Sequence, residues 1–294
     1  MSNKNKLFTI STALCLLLPS ISFSGTIDTS NKPLRLYIGG QYKPSVSTFS
    51  NFSVKETNVV TKNLIALKKE AATTEIRAQG SYIVGIGRSD NFNIPYKAEF
   101  QDNFASFSGT IGYFFPEGPR IEIEASHEEF DVKNPGGYVI DDAFRYFALV
   151  RKMKEGPASF EPAIENTNVF HTVMRNDGLS ISSVIINGCY DFSLGKLPVL
   201  PYICVGIGVN LIEFFDALHI KFAGQSKLGI TYQLSDNVNL FADGYYYRVI
   251  GNNQFKNLNV LHVAELKDAP KVTSAVATLS ISYFGGEIGA RFVF

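Results

Sequence analysis

Tryptophan is absent from the 294 residues, and there are only three cysteines and four histidines. Cys189 and Cys204 have no neighbouring histidine, and two cysteines alone do not complete the four-ligand shell of a zinc site. Net charge is missing too. Twenty-seven basic residues face twenty-seven acidic ones, which argues against a nucleic-acid partner. Beyond residue 24 no apolar run approaches the roughly 20 residues that a membrane helix needs. The pairs Gly85/Gly87 and Gly206/Gly208 lack the further glycine, the lysine and the helix of a phosphate loop. No nucleophile stands with a base in a recognisable constellation, so the chain reads as a non-enzyme without a cofactor. No fixed-period repeat and no linker divide it.

What is present is alternation. Gly286, Ile288, Ala290, Phe292 and Phe294 share one side of a strand, and Gly285, Glu287, Gly289 and Arg291 share the other. An apolar flank backed by a charged one is the pattern of a membrane barrel, lipid outside and polar groups within. Phe292 and Phe294 then read as a C-terminal assembly signal for the barrel-assembly machinery. At the other end, Lys4 and Lys6 precede an apolar run from Leu7 to Leu18, and Ser22-Phe23-Ser24 follows Pro19. This predicts a signal peptide over residues 1–24 and a single mature domain over 25–294. Leu14 before Cys15, and the leucines after it, argue against a lipid anchor. An exported chain that meets hydrocarbon without helices must close into a barrel, because every backbone group needs a partner there.

Eight strands are predicted in an all-β, antiparallel transmembrane barrel, with ten or twelve left open. They begin near Leu34, Ser106, Pro119, Ser180, Pro201, Lys227, Val238 and Leu279. The turns at Pro116–Pro119, around Gly195 and at Ser235–Asn237 are short. Two excursions are long, about 45–103 and 134–178, as are the extracellular loops of such barrels. A helix-like piece carrying Lys68 and Lys69 is expected within Thr61–Ala72, and a short capped helix at Asp141–Met153. Weaker strand candidates lie near Tyr82, Tyr146 and Phe170. Leu279 and Ile281 are out of phase with Ile288 and Phe292, which predicts a bulge at Gly285–Gly286.

Inward-facing charges follow from the same alternation: Arg35, Glu122, Glu124, Asp191, Lys227, Asp243, Glu287 and Arg291. Glu122 and Glu124 are two apart and share a face. Paired carboxylates can do acid–base work, but ionisable groups inside a membrane normally pair with one another. Two versions remain: charges that lock a filled lumen, or charges that line an aqueous pore. Cys189 and Cys204 also face inward on adjacent strands; a disulfide and two buried thiols both fit, and register decides. The four histidines read as surface residues, His127 at a strand end and His171, His219 and His262 in or near loops.

Gly118-Pro119-Arg120-Ile121-Glu122, Asn187-Gly188-Cys189-Tyr190-Asp191, Pro201–Gly208, Lys227–Tyr232 and Phe284–Phe294 together resemble the major surface-antigen proteins of Ehrlichia and Anaplasma. The resemblance runs over nearly the whole chain and carries no catalytic motif. It implies an abundant protein of the bacterial outer membrane and cell surface, with antigenic loops and, for some members, pore activity. The expected function is therefore a porin-like channel for small hydrophilic solutes that is also a surface antigen. The alternative is a sealed barrel that displays its loops as an adhesin. Expected partners are outer-membrane lipid, the assembly machinery, and host-cell molecules or antibodies.

Overall fold

The computed structural model describes residues 35–72, 78–79, 82–83, 86, 91–116, 118–151, 171–193, 198–261 and 274–294. The predicted signal peptide, Leu34 and His262 lie outside these residues. The barrel strands are β1 (Arg35–Tyr42), β2 (Phe107–Phe114), β3 (Pro119–Phe130), β4 (Leu179–Asp191), β5 (Val199–Phe214), β6 (Ala217–Ser235), β7 (Val238–Ile250) and β8 (Ser282–Val293). Each pairs antiparallel with the next, and β8 pairs back onto β1 with Gly40 opposite Ala290. The sheet closes and leaves no edge to the surroundings.

Strand alternation sorts the side chains. Ile123, Ile186, Ile207, Leu228 and Ile288 stand outward and exposed. Tyr113, Tyr190, Tyr232 and Phe292 lie toward the short-turn end of this apolar face, and Phe107, Tyr246 and Phe284 toward the loop end. The two aromatic groups are the girdles of a barrel built for hydrocarbon, here without tryptophan. At the short-turn end Gly118 has φ +108°, a conformation that suits glycine.

The excursions form sheets of their own. Asn63–Leu67 and Phe92–Pro95 of the first join Tyr146–Val150 and His171–Arg175 of the second in four strands. Ser50–Glu56 joins Gln254–Asn259 and Ser274–Ser280, the latter two from the segment between β7 and β8. Ser45–Ser47 pairs with the start of β8, and Ala78–Gln79 with Tyr82–Ile83. The strand candidates near Tyr82, Tyr146 and Phe170 thus belong to the loops, not to the barrel wall. Arg151 and Glu56 link the two larger sheets through a buried pair of contacts at 2.7 and 2.9 Å.

Three expectations are corrected. The segment Thr61–Ala72 contains a strand, not a helix. Of the expected helix at Asp141–Met153, the described residues, 141–151, hold a 3₁₀ turn at Ala143–Arg145 and then a strand. In both segments adjacent apolar residues are buried together, Ile65-Ala66-Leu67 and Phe147-Ala148-Leu149-Val150. A strand covered on both faces shows no alternation, which imitates a helical run. The bulge at Gly285–Gly286 is also absent: β8 pairs with β7 without a register shift from Ser282 to Phe292. Leu279 and Ile281 are buried on the inner side, as are Tyr283, Glu287 and Arg291. The face does not change; its chemistry does, from apolar under the loops to charged within the barrel.

Candidate functional site

The barrel interior gathers four of its charges into one ring. Lys43 follows β1, Glu124 is on β3, Lys227 on β6 and Glu287 on β8. Lys43 Nζ lies 2.5 Å from Glu124 and 3.1 Å from Glu287. Lys227 Nζ lies 2.6 Å from Glu124 and 2.7 Å from Glu287. Cations and anions therefore alternate around a four-membered circuit. Gln225 accepts from Lys43 at 3.1 Å and donates to Glu124 at 2.9 Å, and Asn187 donates to both Glu122 and Glu124. Stripping water from an ion costs several kcal/mol, and only close opposite charges with further hydrogen bonds offset it. The alternation and the amides meet both conditions.

Two groups sit nearer the short turns. Arg120 pairs with Glu122 at 3.0 Å and with Asp191 at 3.3 Å, while the Tyr37 hydroxyl donates to Glu122 at 2.6 Å. Arg291 donates to Thr231 at 3.2 Å and lies 3.8 Å from the centre of the Phe241 ring, a cation–π contact. Tyr202 donates to Asp243 beside it. Toward the loops, Glu128 accepts from Ser45 at 3.2 Å and from Asn103 at 3.0 Å.

Seven of the eight charges read from alternation thus point into the barrel. Arg35 does not join them; it donates to the Asp236 carbonyl at the short-turn rim. Lys43, Arg120 and Glu128 complete the interior set. Lys43 already lies on the inner flank of the predicted first strand with Gln41, and Arg120 and Glu128 share parity with Glu122 and Glu124, one or two steps along the third strand. Glu122 stands in an ion pair with Arg120, and Glu124 with both Lys43 and Lys227. Cys189 and Cys204 are directly opposite in the β4–β5 register and form a disulfide beside Tyr202 and Phe241.

The interior is packed. Lys43, Arg120, Glu122 and Glu124 are each 1% exposed, Glu287 and Arg291 are 2%, and Lys227 is 4%. A β-carbon added at Gly206 would fall 2.0 Å from Asn187 Oδ1, so close approach explains that glycine. Above the charges lies an apolar cap that includes Phe130, Phe214, Leu279, Ile281 and Tyr283. His171 is buried against Phe92 and is not a surface histidine, whereas His219, just past the turn between β5 and β6, is half-buried.

Major surface antigen 4 of Anaplasma marginale is 29% identical over 259 residues, spanning 88% of this chain and 83% of its own length. A major outer membrane protein from Thermus thermophilus is 10% identical, with a TM-score of 0.38, covering 90% of this chain and 100% of its own. Neisserial surface protein A is 12% identical, with a TM-score of 0.35 and coverage of 89% and 97%. The surface antigen family model matches residues 29–294, and with that match over nearly the whole sequence the chain belongs to the surface antigen family.

Proposed function

We propose that this chain is an outer-membrane surface barrel with a sealed interior, whose interleaved excursions present a folded platform to molecules outside the cell. The observation that carries this reading is the burial of the ionic ring. A water-filled pore would leave its lining side chains accessible, whereas Lys43, Glu124, Lys227 and Glu287 are at most 4% exposed. Eight strands enclose a space that side chains just fill. Export by cleavage after Ser24, and insertion through a signal at Phe292 and Phe294, belong to the same reading, and no catalytic role is assigned. Host-cell molecules are the proposed contacts of the platform.

Passive solute diffusion is the competing reading, supported by the pore activity of some resembling proteins. Planar-bilayer recording of refolded residues 25–294 separates the two. The sealed barrel gives no conductance steps; regular steps in repeated preparations would overturn it and favour a channel. For display, replacing residues 48–102 in a chain that still folds should abolish adhesion of protein-coated beads to host cells. Unchanged adhesion would remove that role.

A further inference from the structure

Between the first and second excursions lies a cavity of about 310 Å³. Its walls are largely apolar: Ile94, Pro95, Tyr96, Pro135, Tyr138 and Phe144 face it. Lys69, Lys97 and Lys133 also line it, against a single carboxylate, Glu99. Lys133 meets Glu99 at 3.8 Å, with both side chains more than 60% exposed, so that pair neutralises little. Among the described residues Lys69 and Lys97 form no ion pair with a carboxylate. Lys69 Nζ instead sits 5.9 Å from the centre of the Tyr138 ring. The backbone makes room for it. Gly136 and Gly137 take φ of +82° and +81°, and a β-carbon on Gly137 would lie 3.2 Å from Lys69 Nζ. Concave, mostly apolar sites with a few convergent polar groups are where small molecules bind, from roughly 300 Å³ upward.

We propose that this cavity binds a small amphipathic anion, an aromatic or short apolar body carrying one carboxylate. The body would pack against Tyr96, Tyr138 and Phe144, and the carboxylate would meet Lys69 and Lys97. The size admits a ring system, not a polymer. The inference does not rest on the interior being sealed.

The test uses the full mature chain refolded into uncharged phosphatidylcholine vesicles, with 2-naphthoate as the probe. Equilibrium dialysis is read against empty vesicles. With no tryptophan in the chain, the probe can be excited to the red of tyrosine absorption without protein background. The expected result is saturable binding at one site per chain. The neutral analogue 2-naphthylmethanol should bind at least about tenfold more weakly, the loss expected for a charge-assisted contact. Lys97→Glu, at an exposed position, should weaken naphthoate binding by a similar factor while the heat-modifiable mobility of the barrel stays unchanged. Lys69→Gln should do likewise. No binding above empty vesicles, equal binding of the neutral analogue, or unchanged binding in both lysine variants would each overturn the proposal.

Discussion

Lys227 on β6 reaches past β7 to Glu287 on β8 and meets it at 2.7 Å. The same ammonium holds Glu124 on β3 at 2.6 Å, so one side chain ties opposite walls of the barrel together. Lys227→Met should leave two buried carboxylates sharing Lys43, at a cost of about 3–5 kcal/mol. The double variant Lys227→Met with Glu287→Met should lose less, because it removes one charge of each sign. Urea unfolding of the refolded barrel, followed by heat-modifiable mobility, compares the two. Equal losses would show that packing rather than charge governs the site.

A second prediction concerns acid. His171 lies outside the barrel wall, packed against Phe92, and burial lowers its pKa from 6.5 to about 4. Glu56 favours the protonated ring but does not outweigh the lost hydration. The unfolded segment therefore takes up its proton first as pH falls. The contribution to stability is complete above about pH 6.5 and is lost between there and pH 4, by about 3 kcal/mol. Protease protection of the loop sheets should fall over that window. In His171→Gln the fall should flatten; an unchanged slope would assign it to other groups.

The disulfide closes a short path, since its cysteines are 15 residues apart. A loop of that length corresponds to about 3 kcal/mol of stabilisation in the chain-entropy view. Denatured mature protein should take up no maleimide until reductant is added. The Cys189→Ala, Cys204→Ala variant should unfold at lower urea.

On the outer wall, Ile288 is 62% exposed where hydrocarbon would touch it. Ile288→Arg places a cation there, at roughly 2–4 kcal/mol near the bilayer middle. Membrane yield of the exported variant should drop sharply. Normal yield would contradict the outward assignment of β8.

The barrel was legible because its strands have two unlike sides. Ile121, Ile123 and Ala125 against Glu122, Glu124 and Ser126 is the alternation of a strand with one face to lipid and the other to the lumen. The loop sheets were not, since Phe147 to Val150 are buried on both sides and carry no period. The full extent of β5 and β6 was also hidden. Their turn is Phe215-Asp216, with φ of 51° and 56°, the mirror-image hairpin geometry that normally announces itself with Asn-Gly. Without that cue β6 reads as beginning only at Lys227. The ionic ring was half visible: parity put Glu124, Lys227 and Glu287 inside, but nothing in one sequence says which cation meets which anion across the lumen.

Because Ser50–Glu56 borrows partners from beyond β7, and Asn63–Leu67 borrows one from the segment before β4, the outward platform is stitched from stretches distant along the chain. A synthetic peptide copying any one stretch would lack the neighbouring strand that shapes it. Immune sera raised on such peptides should recognise the denatured chain better than the native cell surface.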